Sequence, residues 1–245
     1  MNTHIREQSG INICMKKRLY YIACDILILL ISFTLIMVSF SEAMPTSLDT
    51  KKAIYHGNTN SKNVSLMINV YWGTEYLEEI MELLLNNGVN ATFFVGGSWA
   101  SMNTDMLMKI SVNGFEIGSH GYSHLDHSKL DYETNYEEIK VTHKLIKTFT
   151  GKDMTLFAPP SGAYNNVTLK VAEDLGYKVI MWSRDTIDWR DKNTPLIISR
   201  ATKNIKGGDL ILMHPTKNTL EALPEIIRVL KQNYNLVSVS ENLFG

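Results

Sequence analysis

From Val64 to the end of the chain, short apolar runs alternate with longer amphipathic ones, and this alternation restricts the fold more than any single residue does. The short runs read as strands at Val64 to Val70, Ala91 to Val95, Phe115 to Ser119, Leu156 to Ala158, Lys178 to Met181, Asp209 to Met213 and Leu236 to Val239. Helical stretches lie between them. Tyr76, Ile80, Leu83 and Leu84 mark one apolar face ending at Gly88, and Ile139, His143, Ile146 and Phe149 mark another ending at Gly151. Gly114 and Gly176 close two more, as expected where a left-handed residue follows a helix. Strand followed by helix, repeated, predicts a mainly parallel α/β architecture, closed as a barrel or open and doubly wound. No Gly-x-Gly-x-x-Gly follows the first strand, so a dinucleotide fold has no positive support.

The front of the chain obeys different rules. Residues 1–18 form a tail ending in the basic cluster Met15-Lys16-Lys17-Arg18, and residues 19–43 are apolar apart from Asp25 until Ser41-Glu42. The cleanest charge-free run, Ile26 to Phe40, falls between the length of a signal-peptide core and that of a spanning helix. A cleaved signal peptide and an uncleaved anchor both remain open, and with the positive cluster leading, either exports the remainder of the chain. Residues 44–63 are polar, without a sustained period, and read as a linker to a domain at 64–245. Both cysteines, Cys14 and Cys24, precede the exported part, so that part must be held by its core rather than by disulfides. A net charge of -1 gives no basic footprint for nucleic acid.

Polar residues that stand out fall at the C-terminal ends of the expected strands: Asn69, then His120 and His124, then Pro159 to Gly162, then Asp185 and Asp188, then His214. In a barrel of parallel strands that face carries the active site, so residues distant in sequence converge there. His120 and His124 have metal-ligand spacing, each able to offer a neutral imidazole to an ion of the zinc class. A hydrogen-bonded or solvated histidine pair is the plainer reading of the same spacing.

The order Ser119-His120-Gly121-Tyr122-Ser123-His124, Ala158-Pro159-Pro160-Ser161-Gly162-Ala163-Tyr164, Asp185-Thr186-Ile187-Asp188-Trp189 and Leu212-Met213-His214 resembles the polysaccharide deacetylase family, also called the NodB homology family or carbohydrate esterase family 4. Tyr71-Trp72-Gly73 is similar to the end of the first motif in the branch from spore-forming bacteria. The resemblance covers Val64 to Leu243. It implies a distorted (β/α)7 barrel forming a single domain, and metal-dependent removal of N-acetyl groups from an amino-sugar polymer such as peptidoglycan or chitin; the N-terminal segment, for its part, predicts the extracellular or envelope face of the membrane. It also implies roles. His120 and His124 match the histidine ligands of a divalent metal, zinc by expectation; the backbone N–H of Ser161 matches an oxyanion donor. His214 matches the general acid, with Asp188 orienting it and raising its pKa. Trp72, Tyr164, Trp189 and Leu212 match residues of the substrate groove.

The departures matter as much as the matches. The family's first motif is Thr-Phe-Asp-Asp-Gly, whose two carboxylates serve as base and third metal ligand; here Asn69 and Val70 occupy those places. Ala158 stands where the family has an arginine that orients the base. Two histidines without an anionic ligand under-coordinate zinc, and an amide cannot take a proton from water. Two function classes remain. An enzyme would complete its metal with Asp126, His127 or water and recruit Asp185 as base; a non-catalytic protein would hold a glycan or an envelope partner on Trp72, Trp189 and the surrounding loops. A purely structural tethered protein accounts least well for His120, His124, Asp188 and His214 occurring together.

Overall fold

The computed structural model describes residues 26–30 and 52–245. Residues 1–49 and 50–245 form separate units. In the first, residues 26–30 are helical; the rest of the basic tail and apolar run, with both cysteines, lies outside the described residues. Among the described residues no helix is long and apolar enough to cross a membrane.

The described residues of the second unit form eight strands, all paired in parallel: β1 (Asn63–Val70), β2 (Thr92–Val95), β3 (Glu116–Ser119), β4 (Leu156–Phe157), β5 (Lys178–Val179), β6 (Arg184–Asp185), β7 (Leu210–Met213) and β8 (Asn235–Leu236). Their order is β5-β4-β3-β2-β1-β7-β6, with β8 beside the start of β1. The two ends of this path, β5 and β6, are separated in sequence only by residues 180–183. Five residue steps reach at most roughly 18 Å, whereas seven strands laid flat span roughly 29 Å. The sheet must therefore curl, and it forms the distorted barrel that the motif order implies. Residues before β1 help to close the seam. The Ile54 N–H donates to the Val179 carbonyl, Met181 N–H donates to the Ile54 carbonyl, and Gly57 N–H donates to the Gly208 carbonyl. From residue 52 onward the expected linker is thus part of the barrel, because its backbone groups complete pairing that the short edge strands leave open.

Alternation along β1 sorts the molecule into layers. Val64, Leu66, Ile68 and Val70 face outward into the larger apolar cluster shared with the helices. Met67 faces inward with Phe94, Leu156, Ala158, Ile180 and Leu210. Ser65 and Asn69 share that inward register, so Asn69 sits at the C-terminal mouth of the barrel.

Two turns position the mouth. Helix Thr74–Asn86 starts after Gly73, whose φ is 75° and where an added Cβ would lie 1.9 Å from the Pro215 carbonyl oxygen. Only glycine allows the loop after β1 to meet the loop after β7 so closely. Helix Tyr132–Thr150 is capped by Asp131, which accepts the Thr134 N–H, and ends at Gly151 with φ 71°. Its buried face is Asn135, Glu138, Ile139, Thr142 and Ile146, one position round from the expected stripe, which leaves Phe149 exposed.

Candidate functional site

The C-terminal mouth of the barrel is a cleft lined by Asn69, Tyr71, Trp72, His120, His124, Ser161, Trp182, Asp185, Trp189, Leu212 and His214. It draws on the ends of β1, β3, β4, β6 and β7 and on the segment joining β5 to β6. Strand polarity thus brings together residues up to 145 positions apart, Asn69 and His214 among them.

His120 follows β3 and is buried. Its Nδ1 lies 2.7 Å from the Ala158 carbonyl oxygen. A carbonyl only accepts, so Nδ1 carries the proton and Nε2 is left as an acceptor or ligand. Burial, reinforced by the neighbouring His124 and His214, pushes the His120 pKa down to about 3. The His124 ring centroid is 5.2 Å from that of His120, edge to face, and 4.8 Å from that of Tyr71. Burial and His214 lower its pKa as well. Both imidazoles are therefore neutral at physiological pH.

The loop that carries them is pinned from beneath. One carboxylate oxygen of Glu138 accepts the N–H groups of Tyr122 and Ser123, each at 2.8 Å. Apolar periodicity and motif order do not single out Glu138. Its only signal is a carboxylate on the buried side of a helix.

His214 and Asp188 form the best-defined pair. The Asp188 Oδ1 accepts from His214 Nδ1 at 2.8 Å and Oδ2 accepts the His214 backbone N–H at 2.6 Å. The Thr219 hydroxyl also donates to Oδ2. With Nδ1 committed, Nε2 is the nitrogen free to serve the cleft. The Trp72 ring stacks on the His214 ring, 5.6 Å between centroids and 7° from parallel. Asp188 itself is buried, while Asp185 lines the cleft and accepts the Ile187 N–H at 2.8 Å.

Three of the four non-glycine residues with positive φ among those described, His124 (56°), Ser161 (55°) and Ile187 (53°), belong to the loops around this mouth. Left-handed backbone at such residues costs of order 1–3 kcal/mol each and gathers where geometry is functional.

Other sequence candidates lie elsewhere. Val70 is fully buried in the outer apolar cluster and does not line the cleft. Ala158 is in the inner cluster and reaches the site only through its carbonyl. Tyr164 is not among the lining residues; its hydroxyl meets that of Tyr55 at 2.9 Å. Asp126 caps a short turn through the Ser128 N–H and pairs with Lys129 at 2.8 Å, and His127 is buried with Nδ1 against Asn135. Neither reaches the cleft, so the expectation that they complete a metal site is corrected: local capping and helix packing claim both side chains. Tyr71 and Trp182 line the cleft although the motifs do not mark them as site residues. Tyr71 is findable as the neighbour of Trp72 past a strand end, whereas Trp182 lies between two very short strands and gives no such signal.

A hydrolytic metal centre needs more than this mouth provides. Among the described residues no three of His, Cys, Asp and Glu come together to hold an ion. The donors present are two neutral imidazoles, and the nearby carboxamide of Asn69 adds no charge. Such a set does not fit the complete ligand shell of a catalytic zinc.

Residues 56–180 match the polysaccharide deacetylase family model. The chain is 38% identical over 189 residues to the uncharacterized protein YlxY of Bacillus subtilis, covering 77% of this chain and spanning 59% of that relative's length. It is 33% identical over 175 residues to a peptidoglycan-N-acetylglucosamine deacetylase of Bacillus cereus, covering 69% of this chain and 82% of the relative. Among solved structures it is similar to a wild-type carbohydrate esterase family 4 pseudoenzyme from Bacillus anthracis, with TM-score 0.77, 37% identity, and coverage of 78% of this chain and 69% of the other. A mutant of that pseudoenzyme with restored enzymatic activity is similar at TM-score 0.77 and 35% identity, covering 78% of this chain and 71% of the other.

Proposed function

Because the chain belongs to the polysaccharide deacetylase family, we propose that its cleft holds an N-acetylated amino-sugar polymer of the peptidoglycan class, and that it does so as a catalytically impaired member. One observation carries this reading. The mouth keeps His120, His124, the His214–Asp188 pair and the tryptophans, while the position of the general base holds the uncharged Asn69. An acid without a base cannot activate water at neutral pH. Aromatic faces bind sugar rings without either, and Trp72 and Trp189 are both exposed at the rim.

Any divalent ion held by the two imidazoles would be held weakly, since neither donor is charged. The similarity to a pseudoenzyme supports the same reading, and relatives named for peptidoglycan deacetylation support the polymer class. Residues 15–43, with their basic cluster before an apolar run, support export of residues 64–245, by an anchor or a cleaved signal, to the envelope face of the cytoplasmic membrane.

A second reading rests on Asp185, a carboxylate that lines the same cleft and could serve as base for acetamide hydrolysis. One experiment separates the two. The full-length protein is titrated with N-acetylglucosamine oligomers while acetate is measured. Binding that weakens about tenfold in Trp72→Ala, with acetate at background, supports the glycan-binding reading. Brisk acetate release abolished by Asp185→Ala establishes the second, and absence of any oligomer binding sinks the first.

A further inference from the structure

Tyr71 and Trp72, consecutive residues in the loop after β1, each lie against one histidine of the mouth: the Tyr71 ring centroid is 4.8 Å from that of His124, and Trp72 stacks on His214. The first contact is the less expected, because it packs an aromatic ring onto one of two imidazoles that have metal-ligand spacing. Two neighbours hold that ring in place. Gly96 has ordinary extended backbone, with φ -77°, so glycine is required there for room; an added Cβ would lie 2.3 Å from Tyr71 Cδ2. The Tyr71 hydroxyl accepts from Ser98 Oγ at 2.8 Å. The same segment is tied to the loop between the histidines, since Gly97 N–H donates to the Gly121 carbonyl at 2.8 Å and Ser98 N–H to the Tyr122 carbonyl at 3.0 Å. Ring and histidine loop are thus fastened to one short stretch, residues 96–98, which keeps them in contact.

We infer that Tyr71 determines what the imidazole pair can take: its ring disfavours a divalent ion at His120 and His124 independently of the missing carboxylates. Two imidazoles leave an ion of the zinc class short of its usual four donors. Among the described residues no third His, Cys, Asp or Glu joins them, so water would have to supply the rest. A bound water needs polar partners of its own. Tyr71 lines the cleft and meets His124 with ring carbon, while its one polar side-chain atom is engaged by Ser98. The water shell of an ion would therefore be pressed against apolar surface on the His124 side, in a place where the fold has cleared Gly96 to seat that surface. The inference stands apart from the glycan-binding reading, because it concerns what the two imidazoles hold and not what the tryptophans hold.

The test titrates zinc into the full-length protein at neutral pH against a chromogenic chelator, with cobalt absorption as a second readout of direct coordination. Tyr71→Ala is expected to bind zinc at least about tenfold more tightly than the wild type, the size of effect that groups around a metal's ligands commonly have. The gain should vanish in Tyr71→Ala, His124→Ala. Tyr71→Phe keeps the ring and should match the wild type. Tyr71→Thr, small and suited to a strand end, should give the same gain as alanine and keeps the test open should the alanine variant fold poorly. Zinc affinity at the wild-type level in folded Tyr71→Ala or Tyr71→Thr would show that missing charge alone limits the pair, and it overturns the inference. A gain that survives His124→Ala, or one of equal size in Tyr71→Phe, overturns it as well.

Discussion

Asp188 grips His214 twice, once at the ring Nδ1 (2.8 Å) and once at the backbone N–H (2.6 Å). One carboxylate therefore fixes both the tautomer of the imidazole and the path of the chain that carries it. Gly73, by admitting the Pro215 carbonyl, brings Trp72 onto the exposed side of the same ring. The pair is a built part of the fold, held at both the ring and the backbone.

Asp188→Ala should consequently be costly for stability. It strands the buried Thr219 hydroxyl and the part-buried His214 N–H. The expected loss is about 2–3 kcal/mol, read from urea denaturation at pH 7. His214→Gln, which retains Asp188, should lose distinctly less. Equal losses would mean that the dyad, rather than the carboxylate's several contacts, sets the cost.

Stability should also fall with acid in a defined window. His120 is held near pKa 3 in the folded protein against 6.5 when unfolded, so between those values the unfolded chain binds the extra proton. Stability then rises with pH through the window, is fully present above pH 6.5, and is lost progressively as pH falls toward 3. The lowered pKa of His124 acts in the same direction. The loss is expected to be of order a few kcal/mol at the acid end, and His120→Gln should flatten that part of the denaturation profile. A profile as steep in His120→Gln as in the wild type would refute the assignment.

How much of this can be read from residues alone depends on which force placed each element. Strands β1, β2 and β7 are buried on both faces, so their apolar runs announce them to within a residue. β6 is invisible in that way. Arg184 and Asp185 carry no apolar signal and are strand only because they pair with Ile211 and Leu212. For helix Tyr132–Thr150 the apolar stripe predicts burial of Ile139, His143, Ile146 and Phe149, but the loop above it needs an acceptor for the Tyr122 and Ser123 N–H groups, and Glu138 turns inward to provide it. Polar demand at the site, which periodicity cannot register, rotates the buried face. The same limit hides Trp182, whereas Tyr71 is findable only as the neighbour of Trp72, and Asn69, His120, His124, Asp185 and His214 are legible as polar residues near strand ends.

Export is expected from the N-terminal segment, so protease added to intact protoplasts should digest residues 64–245. Full protection would place the domain inside and remove the envelope polymer as its ligand. The size of any membrane-retained fragment would distinguish an anchor from a cleaved signal.

Restoring catalysis should require several changes at once. Asn69→Asp alone supplies a base beside two imidazoles that lack an anionic partner, and Val70→Asp alone supplies a carboxylate without a base. The second change is also the more hazardous, because Val70 is wholly buried in the outer apolar cluster. An ionised carboxylate there costs several kcal/mol unless it reaches an ion, so Val70→Asp should unfold at lower denaturant than wild type without zinc and recover part of the loss when zinc is added. Ala158→Arg must likewise be accommodated among Met67, Phe94 and Ile180 in the inner cluster. Groups that act as one unit give non-additive effects. The triple variant Asn69→Asp, Val70→Asp, Ala158→Arg with zinc is expected to release acetate from N-acetylglucosamine oligomers at least about tenfold faster than any single variant, and His120→Ala in that background should return it to the wild-type level. A wild-type rate already equal to that of the triple variant would show that Asn69 impairs nothing.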